Sequence, residues 1–229
     1  MIGYYNYTML LTYMSLASAS LGIIISLSGG GHPFIGCFFL LFSGLCDAFD
    51  GKVARTKKDR TSMEKEYGIQ IDSLSDLVAF GVLPACIGVA MMRTSRYFEN
   101  LFDTATSWQG TLLKVICYAV LVLYVLAALI RLAYYNVTEQ ERQQVETGDR
   151  KHFLGLPVTS SALIFPFIML FHYILPADVT PIYIAVVLLT GFLFVFKFKV
   201  PKFGLKGVLC LVGIGVVEFI LLFIWKWFH

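Results

Sequence analysis

The sequence predicts an all-α integral membrane protein, a bundle of about seven transmembrane helices. Three observations carry this. Of 229 residues, 58% are hydrophobic and only 14% charged, whereas soluble domains are roughly half apolar and a quarter charged. The mean hydropathy is +0.75, so a soluble fold of this size could not hide its apolar surface, and a bilayer must supply part of the solvent. The apolar residues also gather into seven runs, each close to the ~20 residues a helix needs to cross a hydrocarbon core.

The first run spans about Thr8 to Leu27. MIGYYNY precedes it without a basic cluster, and SGGGHP follows it instead of a small-residue cleavage site. It reads as a retained helix, not a cleaved signal. Gly29-Gly30-Gly31-His32-Pro33 is a tight turn; a phosphate-binding loop is disfavoured there because no strand precedes it and no GK[ST] follows. The second run starts at about Phe34 and ends in charged sequence near Arg55, and the third covers about Gly68 to Met92. The fourth runs from Leu112 to Tyr135, the fifth from Pro157 to Leu175, the sixth from Pro181 to Phe196 and the seventh from Gly207 to Trp227. Trp225-Lys226-Trp227 suits an interfacial aromatic anchor. The longest polar stretch, Thr138 to His152, is too short for a separate domain, and His152 reads as a loop residue. With no internal repeat, residues 1–229 read as a single membrane domain. Cys37, Cys46, Cys86, Cys117 and Cys210 all lie in apolar sequence without a CxxC pair, which predicts neither a disulfide framework nor a metal site. Nothing in the chain signals nucleic-acid binding.

Lysine and arginine placement sets the expected orientation. With the N-terminus inside, Lys52, Arg55, Lys57, Lys58, Arg60 and Lys65 flank the 2–3 connection. Arg142, Arg150 and Lys151 fall in the 4–5 connection, and Lys197, Lys199, Lys202 and Lys206 in the 6–7 connection. Arg93, Arg96, Lys114 and Lys226 fall on the other side, so thirteen cations stand against four. The expectation is a multi-pass protein of the cell membrane, N-terminus inside.

Charged residues are costly in a membrane and mark function when they persist there. Asp47, Asp50, Asp72 and Asp76 form a dense group, in GLCDAFDGKVAR and YGIQIDSLSDLVAFGVLPA. Asp47 and Asp50 are three apart, and Gly51, Ala54 and Arg55 continue that helical face. Gly68, Asp72 and Asp76 repeat at steps of four on the next helix. These helices are consecutive and antiparallel, joined by the basic connection Thr56 to Tyr67, so both acid pairs reach the cytoplasmic ends and can face each other. Four carboxylates in one cleft need a counter-charge. Hard oxygen ligands suit Mg²⁺, Mn²⁺ or Ca²⁺ rather than Zn²⁺, and four are enough for a two-metal site of the kind that stabilises phosphoryl displacement. Gly51, Ala54 and Gly68 clear side chains from the same faces, so a ligand can approach the backbone; the alternative is ordinary small-residue helix packing.

These residues resemble the signature of the CDP-alcohol phosphotransferase family: aspartate, two spacers, Asp-Gly, two spacers, Ala-Arg, a gap, then glycine and two aspartates at steps of four. Asp47, Asp50-Gly51, Ala54-Arg55, Gly68, Asp72 and Asp76 match all eight positions. The gap from Arg55 to Gly68 is a few residues longer than is usual in the family, the excess falling in TKKDRTSMEKEY. Asp72-Ser73-Leu74, Phe80 to Ala85, Arg131 to Asn136 and Phe153 to Pro157 look like the phosphatidylserine synthase branch. Tyr134 stands where that branch commonly has a second arginine. The likeness covers roughly residues 5 to 170.

The resemblance implies a six-helix core plus an extra C-terminal helix, a homodimer, and transfer of a phosphatidyl group from CDP-diacylglycerol to a small alcohol, L-serine being the best match. Asp47, Asp50, Asp72 and Asp76 would hold divalent cations, two Mg²⁺ or Mn²⁺. Asp76 would also be the general base. Asp50, Gly51, Ala54, Arg55 and Gly68 would line the nucleotide site. Serine needs a cation nearby; Arg131 lies at about the right depth, its alternative being a salt bridge to an aspartate, and Asn136 and Lys151 border the same face. Glycerol 3-phosphate, inositol phosphate or choline are alternative acceptors for the same chemistry. A cation transporter is a reading from another class, but its sites tend to lie at the bilayer midplane among repeats. Glu218, midway along the seventh run, reads equally as a dimer contact or an internal hydrogen bond.

Overall fold

The structure, a computed structural model, describes residues 3–103, 108–145, 152–174, 177–201 and 205–228. Among these residues it is all-α apart from one two-stranded pairing. Helix α1 is Leu10–Leu27, and α2 is Pro33–Ala54 with Pro33 at its first turn, where a missing N–H costs nothing. Helix α3 runs continuously over Ser62–Thr94, and the short α4 is Arg96–Asp103. Helix α5 is Trp108–Val145, α6 is Ser161–Ile174, α7 is Thr180–Val195 and α8 is Leu205–Phe228.

Helices α1, α2, α3 and α5 are long and apolar enough to cross a membrane, which makes this a multi-pass membrane protein. Helices α6 and α7 are apolar but shorter, at 14 and 16 residues, below the usual ~17 residue minimum for an untilted span. Of the seven expected crossings, four are seen as helices long and apolar enough to span a membrane among the described residues. Helix α5 extends ten residues beyond Tyr135, into sequence read as a polar connection. At ~1.5 Å per residue its 38 residues span ~57 Å, about twice a hydrocarbon core. Glu139 and Arg142, paired at 2.6 Å, support the polar turns of that extension.

Small residues bring α1 and α2 together. Thr12, Ser15, Ser18, Gly22 and Ser26 form a buried stripe on α1 at steps of three and four. Ser15 and Ser43 exchange hydroxyl-to-carbonyl bonds, and Ser18 donates to the Phe39 carbonyl at 2.9 Å. A Cβ on Gly22 would sit 2.8 Å from Phe39 Cβ, so only glycine permits this approach. The core lies around α3, where Phe80, Leu83, Ile87 and Met91 pack against Leu40, Tyr124, Phe165 and Tyr183.

Within α3, Leu77–Val82 has π-helical winding, placed directly after Asp76. Pro84 has no N–H to return to the Phe80 carbonyl. Tyr124 satisfies that carbonyl instead, its hydroxyl donating at 2.6 Å and lying 2.8 Å from Ser161 Oγ. The FGVLPA segment thus fixes the helix just beyond the aspartates.

The strands are β1, His152–Leu154, and β2, Lys199–Pro201, paired antiparallel. His152 therefore belongs to a short strand and not to a free loop, because the turn after Leu154 folds the chain back on the end of α7. Gly155 makes this possible with φ +75°; a Cβ there would lie 2.9 Å from the Phe194 carbonyl oxygen.

Candidate active site

The aspartates converge as the spacing predicts. Helices α2 and α3 set Asp47 opposite Asp76 and Asp50 opposite Asp72, each pair within hydrogen-bonding reach. Asp50 and Asp76 are buried, Asp47 and Asp72 half-buried. Carboxylate oxygens of Asp47, Asp50 and Asp72 lie within 4.8 Å of one another. Asp76 reaches this group through Asp47. Asp72 Oδ1 is buried without a hydrogen-bond partner. Three converging hard oxygens and an orphaned acceptor fit a divalent cation. Any cation there would be held by Asp47, Asp50 and Asp72.

Two supporting residues lie outside the set of site residues that the sequence motif marks. Thr12 Oγ1 donates to Asp50 Oδ2 at 3.1 Å, and the Thr12 carbonyl accepts from Ser75 Oγ at 3.2 Å. Helix α1 thereby braces Asp50 and the helix that carries Asp72 and Asp76. The sequence marks Thr12 only as one polar residue on a stripe of small residues, which ordinary helix packing also explains. Arg60 is the other. Its Nη1 and Nη2 donate to the Ala54 and Glu64 carbonyls, both at 3.3 Å.

The small residues differ from one another. Nothing lies within 4 Å of a Cβ placed on Gly51, so that face of α2 is open. Ala54 is half-buried and Arg55 exposed at the end of α2. Gly68 is covered, its missing Cβ leaving room for Arg60 Nη2.

Of the residues expected near the acceptor, Arg131 is buried; its Nε donates to the Leu156 carbonyl at 3.2 Å and its guanidinium lies 5.4 Å from the Tyr135 ring centre. The turn at Gly155 delivers that carbonyl. Asn136 Nδ2 donates to Ser73 Oγ at 2.7 Å, tying α5 to the residue beside Asp72. Lys151 lies outside the described residues. Glu218 is buried in α8 with Oε2 unpartnered, near Cys37 in the first half of α2 and so away from the aspartates in the second half.

The connection over this end is anchored independently. Lys57 Nζ pairs with Glu64 Oε1 at 2.9 Å, Asn6 Nδ2 bonds the same carboxylate, and Thr61 caps α3 by accepting from the Glu64 N–H at 3.1 Å. Lys57, half-buried in this connection, has its ammonium pKa raised by its hydrogen bond to that carboxylate.

Comparison with known proteins bears on what this cleft does. Among similar proteins, the CDP-diacylglycerol–serine O-phosphatidyltransferase of Helicobacter pylori is 27% identical over 191 residues, which cover 82% of this chain and 69% of that protein. The enzyme of that name from Saccharomyces cerevisiae is 37% identical over 142 residues, 61% of this chain and 43% of the other. Archaetidylserine synthase of Methanothermobacter thermautotrophicus is 30% identical over 154 residues, 67% of this chain and 53% of the other. No solved structure matches significantly. The family profile described as CDP-alcohol phosphatidyltransferase matches residues 5–196, a stretch that holds all four aspartates, Thr12, Arg131 and the Gly155 turn. With an acid cleft on α2 and α3 and a match across most of its length, the chain belongs to the CDP-alcohol phosphatidyltransferase family.

Proposed function

We propose that this protein transfers the phosphatidyl group of CDP-diacylglycerol to L-serine, giving phosphatidylserine and CMP. The observation that carries the reading is the facing of Asp47 and Asp50 with Asp76 and Asp72 on one antiparallel helix pair. The serine synthase names of the relatives support the acceptor. Positive-inside charge supports an active site at the cytoplasmic ends of α2 and α3, with the N-terminus on that side. A homodimer is part of the same reading, through the family.

Asp47, Asp50 and Asp72, with Asp76 at their side, would hold two Mg²⁺ or Mn²⁺ against the donor pyrophosphate. Such ions, when bound, supply positive charge at the phosphoryl and leaving-group oxygens. The open face at Gly51 lets the nucleotide lie against α2, beside Ala54 and Arg55. Asp76 accepts the serine hydroxyl proton as that oxygen attacks the lipid-side phosphorus. The bond from that phosphorus to the CMP oxygen then breaks, and CMP departs. Arg131, steadied by the Leu156 carbonyl and the Tyr135 ring, faces the serine carboxylate, with Asn136 and Lys151 bordering the acceptor.

The donor is amphipathic, and the fold accommodates both ends. An apolar groove of about 450 Å³ runs between α1 and α2, lined by Met14, Leu21, Phe38, Phe39 and Phe42. Phe42 lies five residues from Asp47 on α2, ~7.5 Å along the axis. Acyl chains in this groove would leave the phosphates at the acids and the nucleotide in water.

The test is CMP release by purified protein in liposomes with CDP-diacylglycerol and Mg²⁺ or Mn²⁺. Serine, glycerol 3-phosphate, inositol phosphate and choline are supplied separately. Release with serine alone supports the reading; release with another alcohol instead overturns the acceptor and keeps the acid chemistry.

A further inference from the structure

We propose that Arg60, in the basic connection between α2 and α3, is a further donor-binding residue whose guanidinium takes hold of the nucleotide pyrophosphate where Ala54 and Gly68 meet. The inference rests on the nucleotide reading of these two positions given above.

Three observations point there. First, Arg60 touches both halves of the acid motif, donating to the Ala54 carbonyl at the end of α2 and lying on α3 at Gly68. A Cβ at Gly68 would sit 2.7 Å from Nη2, so the guanidinium lies directly against the bare face of α3 at this glycine. Second, Gly68 precedes Asp72 by four residues on one face of α3, which sets the cation about one helical turn, ~5.4 Å, from the acids. A pyrophosphate seated at the acids would extend toward the guanidinium over that distance. Third, the guanidinium is poorly used as it stands. Both its carbonyl bonds are 3.3 Å long, and Nε is buried with no partner. A typical N–H···O bond is ~2.9 Å, and phosphate oxygens bind a guanidinium by shorter, charge-assisted and bidentate bonds. A nucleotide lying against Gly51 and Ala54, with its pyrophosphate between them and the acids, therefore offers Arg60 better partners than it has.

A purely structural role, tethering the connection to α2, is the competing explanation. The connection does not depend on Arg60 for its anchorage. Lys57, Glu64, Asn6 and the Thr61 cap already hold it. Removal of the guanidinium should therefore leave the fold intact and be felt in donor binding.

The experiment compares wild type, Arg60→Ala and Arg60→Lys in detergent, measuring calorimetric binding of CDP with Mg²⁺, KM for CDP-diacylglycerol, KM for serine, and Tm. Arg60→Ala should weaken CDP binding and raise the donor KM by about tenfold or more, as expected for loss of a bidentate charged contact. Serine KM, kcat at saturating donor and Tm should stay near wild type. Arg60→Lys keeps the charge but not the fork, and should fall between the two. CDP binding and donor KM that are unchanged in Arg60→Ala, or improved, overturn the proposal while wild-type turnover keeps the enzymatic reading intact. A fall in Tm that Arg60→Lys restores without restoring CDP binding also overturns it, in favour of tethering. Wild type that neither binds CDP nor releases CMP overturns both readings together.

Discussion

The bond from Thr12 to Asp50 offers a quantitative handle on the site. Thr12→Val exchanges a hydroxyl for a methyl of similar shape at a buried position. The Thr12 carbonyl would still accept from Ser75, so α1 keeps its hold on α3. What disappears is the 3.1 Å hydrogen bond to Asp50 Oδ2. Hydrogen bonds to charged groups contribute ~1.5–3 kcal/mol, and losing a residue that orients a metal ligand typically costs ~10–100-fold in metal affinity. Tenfold is ~1.4 kcal/mol, so the two figures agree. The assay is CMP release titrated with Mg²⁺. The half-saturating Mg²⁺ concentration should rise by ~10–100-fold, with most of the rate recovered at saturation. An unchanged half-saturation point would refute the claim that Thr12 orients a cation ligand. So would a rate lost at every Mg²⁺ concentration with that point unmoved.

Gly51→Leu places a side chain where the structure has open space, so Tm should hold or rise slightly while the donor KM rises on the order of tenfold or more; an unchanged KM would remove the nucleotide from this face. Arg131→Lys loses the Nε bond to Leu156 and the planar fork, and should raise the serine KM by about tenfold with the donor KM unmoved; equal rises in both constants would make Arg131 a structural residue instead.

The acid cleft was legible because charge inside apolar sequence has few explanations, and because steps of three and four survive folding. The spacing alone places four carboxylates on two facing stripes. The supporting residues were less visible because each looks ordinary in its own segment. Thr12 matters only because α1 packs closely enough on α2 to present it to Asp50. Arg60 sits among lysines and reads as one more inward charge; only the fold brings its guanidinium to Gly68 and the Ala54 carbonyl. The extension of α5 past Tyr135 is mostly polar, so hydropathy marks the end of the apolar run while the hydrogen-bonded helix continues. The short α4 has eight residues, too few for its periodicity to stand out between apolar runs. The pairing of β1 with β2 joins segments almost fifty residues apart and follows from the conformation of Gly155, which sequence marks only as a glycine. The π-helical turn after Asp76 had its cue in Pro84, but the partner that accommodates it, Tyr124, is remote in sequence.

One measurement tests the central claim most directly: serine-dependent CMP release from CDP-diacylglycerol by wild type and Asp76→Asn in liposomes, with Mg²⁺ and after chelation by EDTA. The account predicts release by wild type that stops with EDTA and returns with Mg²⁺. It predicts a loss of ~10²–10⁴-fold in Asp76→Asn, the usual contribution of a general base, from protein that still binds CDP. Serine-dependent release that survives EDTA, or an Asp76→Asn variant as fast as wild type, would contradict it.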